Sequence, residues 1–310
     1  MTKRWDIAVA GEVYVDHIFT DFDHVPLPGE EVFADQYRRE AGGGTVNTAC
    51  ALARLGHCTS LFGVFGRDEE AWLRSRLNSF GVHADDAHSS ELPNALTVSM
   101  STRSDRSFLS YAGANKALEK YVALPETIAA LSKSRHIHFA MPLELEVAKL
   151  LLPSLRSAGS TLSIDPGWRK DWFLNPDSLD VLRMVDLFFP NEGEAQLLTG
   201  RTDPDDVLRE FAAMGLEHTV VKLGPRGAIT WRQNRSYKMT PPDVQVVDTT
   251  GAGDAFDAGF IDAWLSGADI EEQLRRACIC GSLSTRARGA LTALPSRQEI
   301  LDVVQENSIV

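Results

Sequence analysis

Two rhythms of apolar and polar positions run along this chain. Short apolar runs stand at Ile7–Ala10, Ser60–Val64, Ile137–Ala140, Thr161–Ile164, Leu187–Phe189 and Thr219–Leu223. Runs of this length, bounded by turn formers, predict buried strands. Between them the period lengthens to that of a helix. Val46, Ala49, Cys50 and Ala53 recur at i, i+3, i+4 and i+7, and Gly56 follows, so a helix is predicted over Thr45–Leu55 with a glycine stop. A second helix is predicted over Glu69–Phe80, ending at Gly81. Phe256, Phe260 and Trp264 mark one face of a third. Strands alternating with helices predict an α/β fold with a mostly parallel sheet covered on both faces.

Two stretches break this rhythm. Thr97–Ser101 alternates polar and apolar, Arg103–Asp105 is a polar turn, and Phe108–Tyr111 returns, which predicts a hairpin with one dry face. Val13–Phe19 and Val32–Tyr37 also read as extended, with Pro26, Pro28 and Gly29 between them. Together they predict a small antiparallel sheet projecting from the main body.

The most informative segment is Val247-Asp248-Thr249-Thr250-Gly251-Ala252-Gly253-Asp254. An apolar run ends, two glycines make a tight turn, and a helix begins. Main-chain N–H groups at such a junction lie at the positive end of the helix dipole, a place suited to phosphate. A carboxylate beside an anion hole fits phosphoryl transfer onto a hydroxyl, with Asp254 taking the proton. The same residues also fit a plain glycine turn with Asp254 as a favoured first-turn acid.

Other constellations are equally double-edged when taken alone. Gly42-Gly43-Gly44 before a helix is either a ligand approach or a hinge. Asp16 is an acceptor for two hydroxyls or a solvated loop acid. Asn191 and Glu194 hold a capping-box spacing, whatever else they do. Lys222-Leu223-Gly224-Pro225-Arg226-Gly227 is a nucleotide crevice at a strand's end or a β-turn. Arg169 meets an anionic group or makes a structural salt bridge.

Read as a whole, Asp-Thr-Thr-Gly-Ala-Gly-Asp-Ala-Phe at 248–256 resembles the C-terminal signature of the ribokinase-like (PfkB) family of carbohydrate kinases. Ala41-Gly42-Gly43-Gly44-Thr45-Val46-Asn47 resembles the family's N-terminal glycine motif. The likeness runs from about residue 5 to about residue 300. It implies one ribokinase-like domain over 1–310, a three-layer α/β/α body, and a β lid from about 12–40 and 95–112. It implies an ATP- and magnesium-dependent kinase of a small sugar of the fructose, ribose or ketodeoxygluconate kind. Asp254 would be the base and Gly251, Ala252 and Gly253 the anion hole. Asp16, Gly43, Asn47 and Arg169 would hold the acceptor. Asn191, Lys222, Gly224 and Gly227 would hold the nucleotide. Glu194 would order magnesium through water, and Asp248 and Thr250 would serve a potassium ion. An extra residue in Ala287-Arg288-Gly289-Ala290-Leu291 departs from the family's cation-site spacing. The family also implies a homodimer through the lid.

Composition narrows the field. Of 310 residues, 44% are hydrophobic and 24% charged, ordinary for a globular chain. A net charge of −12 argues against a nucleic-acid partner. The apolar runs are too short to span a membrane. The polar start and the absence of a C-x-x-C among four cysteines point to a cytoplasmic, reduced protein. No G-x-x-x-x-G-K-[ST] occurs, which excludes a P-loop kinase. Two rivals stay open. One is a nucleoside kinase of the same fold, with Tyr14, Phe33 and Tyr111 stacking on a base. The other is a non-catalytic regulator that binds sugar or nucleotide, for which a retained Asp254 has no use.

Overall fold

The structure is a computed structural model that describes residues 3–102, 106–233 and 235–306. In chain order the first strands are β1 (Trp5–Gly11), β2 (Tyr14–Phe22), β3 (Gln36–Gly42), β4 (Thr59–Phe62), β5 (Val64–Gly66), β6 (His88–Ser90), β7 (Leu96–Thr102) and β8 (Arg106–Tyr111). They are followed by β9 (Ser134–Ala140), β10 (Thr161–Ile164), β11 (Leu187–Phe188), β12 (Val220–Lys222), β13 (Ala228–Arg232) and β14 (Arg235–Met239). Five of them form a parallel sheet in the order β11-β10-β9-β1-β4. Parallel bridges from Phe188 to Thr219 and from Asn191 to Lys222 carry it on to β12. Beyond lie the antiparallel strands β13 and β14.

Both faces of this sheet are dry. In β1, Ile7 and Val9 belong to one apolar cluster, and Ala8 and Ala10 to the other. That is why the strand reads as a continuous apolar run, not an alternating one. The first cluster includes the helices Gly44–Arg54, Ala252–Leu265 and Ile270–Ser284. The second includes Leu145–Ser157 and Pro204–Ala213. The result is the expected three-layer α/β/α body. Because the strands are parallel, their C-terminal ends share one edge. Gly11, Ala140, Asp165, Asn191 and Lys222 line up there, as fold geometry requires of an open α/β sheet.

The second sheet has the order β3-β2-β7-β8. Its β2–β3 and β7–β8 pairings are antiparallel, and β2–β7, which joins the two hairpins, is parallel. The predicted turn at Arg103–Asp105 lies outside the described residues. Its two faces differ. Asp16, Thr20, Arg38, Glu40, Thr97 and Ser99 share one by register, whereas Val15, Phe19, Ala41, Val98, Met100 and Leu109 share the other. One expectation shifts. The strand predicted at Val32–Tyr37 is observed at Gln36–Gly42. Val32 and Phe33 look like strand residues, but they lie before the pairing and Phe33 is exposed. Register with β2 runs instead through Arg38, Arg39 and Glu40, whose charges hide the strand from an apolar pattern.

The Ala252 helix is buried on all sides from Ala255 to Ala263. It crosses the Ile270 helix at Gly259, where an added Cβ would stand 2.7 Å from Cys280 Cβ and 2.8 Å from the Arg276 carbonyl. No alanine fits that approach without pushing the helices apart. Gly259→Ala should therefore destabilise the protein by about 1–3 kcal/mol. Urea unfolding would show this as a lower midpoint at unchanged slope; an unchanged midpoint would refute the close approach.

Candidate active site

Two helix N-termini meet at the C-terminal edge of the sheet. The Ala252 helix starts after Gly251, which takes a left-handed conformation, φ +74°. A side chain there would also strike Ala290, at 2.5 Å from its Cβ. The Ala252 amide donates to the Thr249 carbonyl at 3.2 Å, and the first-turn amides of Gly253 and Asp254 face out of the helix end. Asp254 stands in that turn. Its Oδ2 accepts a 2.8 Å hydrogen bond from Asn47 Nδ2 on the Gly44 helix. Its Oδ1 faces the bare α-carbon of Gly44, where an added Cβ would lie 3.3 Å away. Burial and the charge of Asp165 push the Asp254 carboxyl up to about 6, against the pull of Asn47 and Lys222.

Gly43, at φ +91°, precedes the Gly44 helix; a Cβ there would stand 2.6 Å from the Glu12 carbonyl. Asp16 on β2 packs over Gly42, where a Cβ would meet its carboxylate. Beside them a cavity of about 420 Å³ opens between the four-stranded sheet and the 247–250 and 288–290 segments. Asp16, Thr20, Thr97, Ser99, Phe108 and Ala290 are among its walls. Arg169 lies at the turn between β1 and β2, where it pairs with Glu12; Tyr14 donates to the same carboxylate at 3.2 Å.

Farther along the edge, Asn191 and Glu194 form a reciprocal cap. Asn191 Oδ1 accepts from the Glu194 amide at 3.0 Å, and Glu194 Oε2 accepts from the Asn191 amide at 2.8 Å. Burial and the neighbouring Asp165 push Glu194 up to about 7. Gly224 and Gly227 both have positive φ and turn β12 into β13; a Cβ at Gly227 would collide with the Met239 carbonyl. Lys222 belongs to this crevice by its backbone, yet its ammonium turns inward to Asp165 at 2.6 Å and to Asp257 at 3.2 Å. Asp248 binds Thr250 through its amide and hydroxyl, at 2.9 and 2.7 Å, and accepts from the Gly289 amide at 2.8 Å. Among the described residues no three His, Cys, Asp or Glu side chains gather as a metal cage.

The predicted residues thus fall at one edge, in two groups. Gly43, Asn47, Asp254 and Gly251 to Gly253 meet directly, with Asp16 beside them. Asn191, Glu194, Gly224 and Gly227 line the neighbouring stretch. Sequence reading missed Asp257. Its one signal is an acid within an otherwise apolar helix stretch, three residues after Asp254.

Residues 5–297 match the pattern of the pfkB family carbohydrate kinases. The chain belongs to that family. Like other pfkB family carbohydrate kinases, it is a phosphotransferase with an alcohol group as acceptor. It is 27% identical to the ribokinase of Haemophilus influenzae, over 97% of this chain and 99% of that one. It is 31% identical to the ATP-dependent ribose-1-phosphate kinase of Halopiger xanaduensis, over 87% of this chain and 89% of the other. The structure of Arabidopsis thaliana ribokinase complexed with ribose and ATP superposes with a TM-score of 0.86 at 27% identity, covering 98% of this chain and 99% of that one.

In this pfkB kinase, burial and the nearby Glu40 push Asp16 up to about 7. A raised carboxyl means that the folded state holds a proton the unfolded chain has released, between about pH 4 and pH 7. That share of stability is lost as pH rises through 7. Asp16→Asn removes the titration. It should raise the melting temperature at pH 8, by roughly 2 kcal/mol of stability after allowance for solvent screening, and leave it nearly unchanged at pH 4. Parallel melting curves for the two proteins would refute the buried charge.

Proposed function

We propose that this kinase transfers the terminal phosphoryl group of ATP to a hydroxyl of a small sugar, with Asp254 as general base. The observation that carries the reading is the setting of Asp254. One oxygen is held by Asn47, the other faces the gap at Gly44, and the first-turn amides stand beside it. The acceptor hydroxyl gives its proton to Asp254 Oδ1 as its oxygen attacks the terminal phosphorus of ATP, and the bond from that phosphorus to the bridging oxygen breaks to release ADP. The amides of Gly251, Ala252 and Gly253 take up the charge on the transferred group. Asp16, Gly43 and Asn47 hold the acceptor; Asp16 is acceptor-only when ionised and so suits hydroxyl donors. The Ser- and Thr-rich face of the four-stranded sheet adds further hydroxyl partners, and as a lid that sheet keeps water from competing. The chain works in this reading as one catalytic domain. Arg169, tied to Glu12, closes the acceptor side by shape rather than by a free charge.

Asn191 and the Gly224–Gly227 turn offer the nucleotide a surface that side chains would fill. Magnesium, when bound, would supply positive charge that offsets the phosphates. Glu194 fits beside it: buried near Asp165, its carboxyl gains from a nearby dication. Asp248 and Thr250, tied to Gly289, would steady a potassium ion next to the anion hole. The apolar outer face of the lid, with Leu109 and Tyr111 exposed, suits a second copy of the chain. Four unpaired cysteines and the use of ATP fit the cytoplasm.

A nucleoside is the second reading, because Phe108 lines the cavity and offers a base one aromatic face. The trio expected to stack does not gather there. Tyr14 is engaged with Glu12, Phe33 is exposed, and Tyr111 shares the opposite face of the sheet. A regulator without activity has no need of Asp254 in this setting.

The deciding experiment measures ATP-dependent phosphorylation across neutral sugars, sugar acids and nucleosides. A neutral furanose or ketose should give the highest kcat/KM; a nucleoside preferred by more than about tenfold would overturn the choice. Asp254→Asn should lower kcat by about 10²–10⁴-fold with acceptor affinity kept. The base must be ionised, so wild-type kcat/KM for the acceptor should rise with pH to a plateau, with its midpoint near 6. Turnover of Asp254→Asn within a few-fold of wild type would remove the base. Chelation of magnesium should stop the reaction, and potassium should stimulate it over choline; equal rates in the two salts would remove only the potassium ion. A monomer in sedimentation would remove the dimer.

A further inference from the structure

Lys222 ends β12 and runs beneath the first turn of the Ala252 helix. A Cβ added at Gly253 would lie 3.4 Å from its Nζ and 3.9 Å from its Cε. The ammonium donates to Asp165 Oδ2 at 2.6 Å, and to Asp257 Oδ1 and Oδ2 at 3.2 and 3.4 Å. An ammonium has three donors, and these contacts engage them. Asp165 follows β10, and Asp257 lies on the Ala252 helix itself, three residues beyond Asp254. One buried cation therefore joins the ends of two strands to the helix that carries the base. Without it, the buried Asp165 carboxylate would lose its cation, and such a broken pair is strongly unfavourable.

We propose that Lys222 is a positioning residue for phosphoryl transfer, pinning the first turn of the Ala252 helix to the sheet edge so that the Gly253 amide and Asp254 hold their places. This rests on the reading of Asp254 as the base. It also separates Lys222 from the nucleotide: with its donors spent on Asp165 and Asp257, it has none for a phosphate.

The charged groups around Asp254 come from four elements. Asp165 follows β10, Lys222 ends β12, Glu194 lies on the Glu192–Thr199 helix, and Asp257 shares the Ala252 helix; His138 on β9 stands behind Asp165. Of these only Lys222 is positive. Its removal makes the Asp254 carboxylate harder to ionise, so the acidic limb of the kcat profile must move to higher pH.

The test is Lys222→Met, which keeps the length and removes the charge. Folded Lys222→Met should lose about 10- to 100-fold in kcat, with KM for ATP and for the sugar each within about threefold of wild type. The acidic limb of its kcat profile should shift upward. A wild-type kcat and profile in the folded variant would overturn the proposal. So would a KM for ATP raised about tenfold at unchanged kcat, since that would make Lys222 a nucleotide ligand. If Lys222→Met does not fold, Asp257→Ala, which removes the lysine's anchor on the Ala252 helix in either protonation state, is read the same way: a fall in kcat at constant KM supports the proposal, and an unchanged kcat overturns it. Asp254→Asn keeps the two readings apart. If it retains turnover, the base assignment fails, while the split between kcat and KM in Lys222→Met still reports on the lysine.

Discussion

The 2.8 Å hydrogen bond from Asn47 to Asp254 joins helices whose sequences lie 207 residues apart. It brings two helix N-termini to one point, and both arrive there because they pack on the same face of a parallel sheet. Everything else at this edge follows from that convergence. Gly43 must stay bare because the Glu12 carbonyl crowds its α-carbon, and a Cβ at Gly44 would press on Asp254 Oδ1 at 3.3 Å. Position 251 must be glycine because its backbone is left-handed and Ala290 would block a side chain there. The hydrogen bond also limits the rise in the Asp254 carboxyl that burial would otherwise produce. In its proposed role as base, a carboxyl pushed up to about 6 is ionised at neutral pH yet still basic enough to accept a proton in the transition state.

The lid contributes through its period of two. Strand register forces Asp16, Thr20, Thr97 and Ser99 to one side, and Val15, Phe19, Val98 and Leu109 to the other. A one-residue slip would exchange a hydroxyl-rich ceiling for an apolar one. Register is fixed at its root, where Tyr14 pairs with Gly42 and Val15 with Ala41, next to the catalytic edge. Cross-ties hold the far end. Arg38 donates to the Arg288 carbonyl, and Arg288 reaches back to Asp21 on β2. The extra residue noticed in the 287–291 segment thus has a structural place, between lid and core.

Much of this was legible in the chain. The central strands show as apolar runs because both faces of the sheet are covered, and the glycine motifs show because bare α-carbons are required at fixed places. Asp254 stands out because an acid at a helix start after two glycines is chemically loaded. What the sequence hid has physical causes. The β3 strand carries arginines and a glutamate, so its pairing partner, not its own pattern, defines it. Lys222 read as a crevice residue because position along a strand does not reveal the direction of a long side chain. Asp257 gave no ligand spacing; its meaning depends on Lys222, which is distant in sequence and adjacent only after folding.

The buried charges form one problem with one solution. Four carboxylates, Asp165, Asp254, Asp257 and Glu194, lie close together, and burial raises the cost of ionising each. With Lys222 as the single cation, not all four can be ionised together at neutral pH. Asp165, at 2.6 Å from the ammonium, is held below the usual carboxylate range, whereas Asp257 and Glu194 are driven upward. Asp254 falls between, partly shielded by Asn47. The cluster therefore favours protons on Asp257 and Glu194, keeps Asp165 ionised against Lys222, and leaves Asp254, the proposed base, between them. Phosphates and metal entering this edge change the same balance, so occupancy of the nucleotide crevice and the basicity of Asp254 are physically linked.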